Sequence, residues 1–226
     1  TMRPEAFAAS RFKGIKVPMP YGPEGGEDGV KANVAAVAAA RAAAGPERDV
    51  AIDVFMAWDV DFTLRMAEAL RPFRLRWIED PLPPTDIDAY VRLHRRLAGE
   101  TALALGNFCF TRWDCLQLLD AGVVGVLQPD VAWAGGLTEC RRIAATAAVR
   151  GVPVILHNAA EQPWAVTMSA ALEGETEIET VDRGDGSLLH GLFEGGPAVV
   201  DGRVAYDVRT PAYRLSAHAR DRLVAA

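Results

Sequence analysis

The chain has 226 residues, half of them hydrophobic, and a formal net charge of -6, which is enough apolar content to bury the core of one sizeable domain. Charges of both signs are interspersed without the basic clustering of a nucleic-acid surface, and no apolar run approaches the roughly 20 residues that span a bilayer, so a small molecule is the expected partner. Cys109, Cys115 and Cys140 form no CxxC pair, and the first residues, Thr-Met-Arg-Pro-Glu, carry no signal-peptide core, which together predict reduced thiols and a cytoplasmic protein.

In chain order, short β-rich apolar runs alternate with longer Ala/Leu/Arg-rich segments of helical period. Strands are predicted at Phe12 to Lys16, Asp49 to Val54, Leu75 to Glu79, Ala102 to Gly106, Val123 to Gln128, Pro153 to His157 and Glu177 to Val181. Helices are predicted near Gly29 to Ala44, Asp61 to Arg71, Asp86 to Leu97, Arg112 to Ala121, Gly136 to Arg150 and Gln162 to Leu172, several opened by Asp, Thr or Gly caps and closed by Gly or Pro. Strands that are apolar throughout, such as Val152 to Leu156, are expected where both faces of a parallel sheet are covered. The pattern therefore reads as an α/β fold with repeated βα units. A TIM-like (β/α) barrel is favoured over a doubly wound sheet, because no GxGxxG follows any strand. Seven strands are found where a closed barrel uses eight. The expectation is a (β/α)7β barrel, one domain over residues 1–226, whose first strand comes from residues outside this chain.

Catalytic side chains of such barrels sit at the C-terminal ends of strands. Asp53, Glu79, Asn107, Asp130 and His157 each follow an apolar run at spacings of 26, 28, 23 and 27 residues, which places them around one rim. Two carboxylates on one rim repel unless a hard divalent cation such as Mg2+ lies between them, so Asp53 and Glu79 are candidate ligands; otherwise they are helix caps or salt-bridged rim residues. Asp130 beside His157 suggests a pair in which the carboxylate fixes the imidazole tautomer and raises its basicity. Lys13 and Lys16, at the end of the first strand, could steady a carboxylate or act as a base, or be solvated rim charges. Trp113, Trp133 and Trp164 are candidates for the wall of the site, with core packing as the alternative. Glu177 or Glu179 could supply a further acid, while His94, His190 and His218 are assigned to surface or packing roles.

The ordered segments Lys13-Gly-Ile-Lys16-Val-Pro-Met-Pro, Ile52-Asp53, Trp77-Ile-Glu79-Asp-Pro-Leu-Pro-Pro, Leu127-Gln-Pro-Asp130-Val-Ala-Trp-Ala-Gly-Gly-Leu-Thr-Glu and Val154-Ile-Leu-His157 resemble the mandelate racemase branch of the enolase superfamily, in particular its acid-sugar dehydratases. The resemblance runs over nearly the whole chain. It implies Mg2+ held at three successive strand ends, with Asp53, Glu79 and Asn107 in the ligand positions. It also implies a catalytic His157–Asp130 dyad that removes the proton α to a sugar-acid carboxylate, and places Lys16 near the lysine of the second barrel strand. The implied activity is a Mg2+-dependent lyase that dehydrates an aldonate.

Two departures stand out. The third ligand of the family is a glutamate in a Gly-Glu context, and Gly106-Asn107 stands there, which removes one negative charge and should weaken the metal. The resemblance also implies an N-terminal capping domain and a first strand, which are expected to lie outside this chain, with residues 198–226 expected to return toward that cap. A homo-oligomer, or a second chain or segment that supplies the cap and strand, is the expected assembly. A racemase or epimerase with Lys16 opposite His157, and a catalytically impaired homologue acting as a subunit or binding protein, are the competing readings.

Overall fold

The computed structural model describes residues 7–8, 12–97 and 99–157, together with the backbone of 197–200 and 203–206. Five strands, β1 (Gly14–Pro18), β2 (Asp49–Asp53), β3 (Trp77–Glu79), β4 (Ala102–Leu105) and β5 (Val126–Leu127), form one sheet in the order β1-β2-β3-β4-β5 with every pair parallel. Between them run α1 (Gly26–Ala44), α2 (Val60–Leu70), α3 (Ile87–Leu97) and α4 (Arg112–Asp120), and α5 (Leu137–Val149) follows β5. A doubly wound sheet would reverse its strand order at a switch point, and this sheet does not. The connections progress in one direction, as in a barrel.

Each helix has a local cause. Asp59 caps α2, accepting a hydrogen bond from the Phe62 amide at 2.7 Å. Thr111 and Asp114 exchange the reciprocal bonds of a capping box at the start of α4. Asp86 accepts from the Ala89 amide at 3.0 Å just before α3. The Ala-rich α1 begins at Gly26, earlier than the predicted Gly29, because the 3-10 turn Pro23–Gly25 leads directly into it and Glu27 and Asp28 lie in its first turn. At its other end the Arg41 guanidinium donates to the carbonyls of Gly45, Arg48, Phe73 and Arg74, tying the helix to the loops at the bottom of the sheet.

Strand alternation splits the core in two. Val50, Ile52, Ile78, Leu103, Leu105 and Leu127 pack with the helix residues Val37, Met66, Leu93, Leu118 and Ile143 in one large cluster. Ala51, Trp77, Ala104, Val126 and Ile155 form a second cluster, made only of strand and strand-like residues, on the face turned away from the helices. Helices on one face and a side-chain layer on the other is the arrangement of a barrel wall. A fully buried Leu or Ile in the outer cluster contributes about 1.5–3 kcal/mol.

Several boundaries differ from expectation. β1 lies two residues further on than Phe12 to Lys16, because its pairing runs from Gly14 opposite Asp49 to Pro18 opposite Asp53. The run Val123 to Gln128 shortens to Val126–Leu127, since Gly122 is left-handed at φ +67 and a Cβ on Gly125 would lie 2.7 Å from that of Ala102. Pro153 to His157 makes a single parallel bridge, Val154 to Leu127, flanked by the bonds Leu127 N–H to Pro153 O and Ile155 N–H to Leu127 O. Pro153 has no amide hydrogen and cannot extend the ladder. Glu177 to Val181 and Gln162 to Leu172 lie outside the described residues. Near the C-terminus β6 (Pro197–Val200) and β7 (Arg203–Tyr206) pair antiparallel with Val200 opposite Arg203.

Candidate metal and acid/base site

One step beyond the inner cluster, toward the C-terminal ends of the strands, the same face carries the polar residues. Two positions after Ala51, Trp77, Ala104, Val126 and Ile155 come Asp53, Glu79, Gly106, Gln128 and His157. Parallel pairing sets Asp53 opposite Glu79 and Lys16 opposite Ala51, so Lys16 points to the same face from β1. The Lys16 ammonium reaches up to this layer, 2.5 Å from Glu79 Oε1 and 3.2 Å from Asp53 Oδ2. Glu79 also accepts the Trp77 indole N–H at 3.1 Å, and Asp53 accepts the Phe55 amide at 3.2 Å. Both carboxylates are buried, Glu79 almost completely. The salt-bridged alternative for Asp53 and Glu79 is thus present in the geometry, with Lys16 as the shared cation.

The backbone around these carboxylates is held in unusual conformations. Phe55, Met56 and Asp80 have φ of 54, 60 and 40, a left-handed region that non-glycine residues seldom adopt. Met56 donates to Asp80 O at 2.7 Å and Val54 to Glu79 O at 3.0 Å, which locks the two strand ends together. The Tyr90 hydroxyl donates to Leu82 O at 2.6 Å, anchoring the Pro-Leu-Pro-Pro loop that follows Glu79-Asp80. Burial pushes this phenol well above the ordinary tyrosine range. Strain of this kind concentrates where function requires a fixed geometry.

On the other side of the layer, His157 Nδ1 lies 3.0 Å from Asp130 Oδ2. The second oxygen of Asp130 accepts the amides of Ala132 at 2.8 Å and Trp133 at 3.3 Å, so its carboxylate is oriented by its own turn. The Trp133 ring flanks the imidazole at a centroid distance of 5.9 Å and also touches Phe108 and Phe110. Of the other tryptophans, Trp113 is exposed beneath the Arg112 guanidinium, and Trp164 lies outside the described residues. Lys13 is exposed, and His94 is exposed on α3. Glu177, Glu179, His190 and His218 also fall outside the described residues.

Asn107 follows Gly106 at the end of β4, and its side-chain Oδ1 is buried with no hydrogen-bond partner among the described residues. Two buried carboxylates and an orphaned amide oxygen at the ends of three adjacent strands are the hard oxygen donors that Mg2+ takes. The residues fit such an ion, and Lys16 already meets part of the same demand for positive charge. Among the described residues no three His, Cys, Asp or Glu side chains converge as a metal site. Sequence reasoning passed over Gln128. Its neighbour Asp130 carried the more recognisable chemistry, and only the alternation observed along β5 puts Gln128 in the polar layer.

Consecutive parallel βα units with oxygen donors and an imidazole at their C-terminal strand ends define a barrel scaffold with a strand-end polar site. The chain belongs to the enolase C-terminal domain-like family, whose model matches residues 2–210. It is 34% identical over 157 residues to an L-rhamnonate dehydratase of Saccharopolyspora erythraea, covering 70% of this chain and 40% of that protein. Its structure is similar to a rhamnonate dehydratase from Gibberella zeae complexed with Mg, at TM-score 0.73 and 28% identity over 86% of this chain and 49% of that one. It is also similar to a racemase from Streptomyces coelicolor with bound magnesium, at TM-score 0.65 and 30% identity over 74% and 47%. The chain spans about half or less of the length of these relatives.

Proposed function

We propose that this chain carries the catalytic face of a Mg2+-dependent acid-sugar dehydratase, in which His157 removes the proton next to the substrate carboxylate. The observation that carries this reading is that His157, paired with Asp130 at 3.0 Å, follows the same inward-facing strand positions as Asp53 and Glu79. In the tautomer that donates Nδ1–H to Asp130, Nε2 is the basic nitrogen of the imidazole and takes the role of base. Asp130 in turn stabilises the imidazolium that forms, as a buried carboxylate held by two backbone amides can do. Asp53, Glu79 and Asn107 would hold Mg2+, which supplies positive charge to the substrate carboxylate as negative charge builds on it. The protonated imidazole can then return its proton to the departing β-hydroxide, so that water leaves and the α,β-unsaturated enol tautomerises to a 2-keto acid. Relatives named as dehydratases support the reaction class.

A racemase is the second reading. It is favoured by the relative named as one and by the presence of Lys16 on the same face of the sheet. Solvent exchange separates the two. In deuterated buffer with Mg2+ and L-rhamnonate, the protein is expected to exchange the α-proton and release a 2-keto acid, and His157→Asn to lose both while retaining its fold by circular dichroism. Exchange retained in His157→Asn but lost in Lys16→Met would shift the base to Lys16 and favour racemisation. Absence of exchange with any aldonate would overturn the enzymatic reading in favour of a binding or subunit role.

A further inference from the structure

Asp53 and Glu79 each present one carboxylate oxygen to a cation, and Lys16 holds both of them. Its ammonium lies 2.5 Å from Glu79 Oε1 and 3.2 Å from Asp53 Oδ2. Each carboxylate commits its other oxygen to a neutral donor, Glu79 Oε2 to the Trp77 indole N–H at 3.1 Å and Asp53 Oδ1 to the Phe55 amide at 3.2 Å. A divalent ion that takes one oxygen from each carboxylate therefore enters the place of the ammonium, and two cations this close repel strongly beside buried ligands. The metal has a further donor to draw on. Asn107 Oδ1 is buried with no hydrogen-bond partner among the described residues, and a hard divalent ion gains it as a third oxygen. The Lys16 side chain is 22% exposed, and its flexible four-carbon stem lets the ammonium swing out into water.

We propose that Lys16 is an internal competitor of the divalent ion: Mg2+ displaces its ammonium from Asp53 and Glu79, and Lys16 thereby sets the Mg2+ concentration at which the site fills. The proposal rests on the reading above that Asp53, Glu79 and Asn107 hold the ion, and it requires nothing of the substrate. Two buried carboxylates facing each other repel, and the ammonium compensates them whenever the metal does not. Metal binding must therefore break two ion pairs, so the affinity lies below what the three oxygen donors alone would give. This role differs from that of a base at the same position. A base acts on the substrate, and replacing it by an apolar side chain of similar length would not tighten the metal.

Calorimetric titration with Mg2+ compares the intact protein with Lys16→Met and with Lys13→Met, which removes the same charge from an exposed position. Lys16→Met is expected to bind Mg2+ about tenfold or more tightly, and Lys13→Met to stay within about twofold, since an exposed charge is screened. A second measurement needs no variant. Reductive methylation with formaldehyde and cyanoborohydride, read by peptide mass spectrometry, should label Lys16 several-fold faster with Mg2+ than without it, while the exposed Lys13 and Lys31 label alike in both. Unchanged or weaker Mg2+ binding in Lys16→Met, or Lys16 labelling that does not rise with Mg2+, overturns the proposal and leaves the metal reading standing. If Lys16→Met does not fold, the labelling of the unmutated protein decides. If neither the unmutated protein nor Lys16→Met binds Mg2+, the metal reading fails and the proposal fails with it.

Discussion

At the scale of single residues, the chemistry of the site turns on charge. Asp53 and Glu79 bring two formal negative charges against one positive charge on Lys16, and Asn107 adds an oxygen donor without charge. Ligand charge sets much of the affinity for a hard divalent ion. Replacing Asn107 by Glu is therefore expected to tighten Mg2+ binding by about tenfold or more, equivalent to about 1.4 kcal/mol. Calorimetric titration of both forms with Mg2+ is the measurement, and equal affinities would show that residue 107 does not face the ion. Asn107 was legible in the sequence as a strand-end polar residue. Gln128 was not, because only Pro129 separates it from Asp130, and only the pairing observed in β5 decides which of them lies nearer the sheet and which in the loop beyond it.

At the scale of elements, each strand end is shaped by the residue that turns the chain out of the sheet. β4 is the tightest case. Gly106 combines a φ of +138 with a would-be Cβ 2.9 Å from Gln128 N and 3.1 Å from Leu127 Cδ1. Gly106→Ala is therefore expected to cost roughly 1–3 kcal/mol in urea unfolding, from backbone strain and from the push against β5. Since Asn107 and Gln128 flank this contact, the same change should weaken Mg2+ binding beyond what lost stability explains. A substitution at Gly45, also left-handed but with open space around its Cβ position, should leave metal binding unchanged and provides the control. The five described α elements were legible to within a few residues from apolar period and caps, since a helix closes its own hydrogen bonds. Short strands such as β5 depend on neighbours distant in sequence, so their limits could not be read in advance.

At the scale of the whole molecule, the outer cluster between sheet and helices encloses all three cysteines. Burial pushes the Cys140 thiol from 9.0 up to about 12, with further contributions from Cys115, Asp130 and Glu139. Cys109 is raised further still, chiefly by its hydrogen bond to Cys115 and by burial. A thiol raised in the folded state keeps its proton where the unfolded chain has lost its own. Its contribution to stability is therefore complete below pH 9 and is lost as pH rises toward 12. Stability should fall across that window by up to about 1.4 kcal/mol per pH unit for each such thiol. Urea unfolding at pH 8, 9, 10 and 11 (about one unit apart) is expected to show a shallower fall in Cys140→Ala than in the unmutated protein. Parallel slopes would count against the buried-thiol explanation. Among the described residues no helix is long and apolar enough to cross a membrane.

The sequence by itself determined the α/β class, the succession of βα units and the rim residues Asp53, Glu79, Asn107, Asp130 and His157. These follow from periodicity and from polar residues that end apolar runs, which are local features. The specific stretches around Glu79 and Asp130 also point to the family. Only the tertiary structure decided that Lys16 bridges Asp53 and Glu79, that Trp133 flanks His157 while Trp113 lies out beneath Arg112, and that Gln128 is buried just beyond β5. Those placements depend on strand register and on side-chain reach across the sheet. A one-residue change of register would send every such side chain to the opposite face, and strands that are apolar on both faces carry little pattern from which that register can be read.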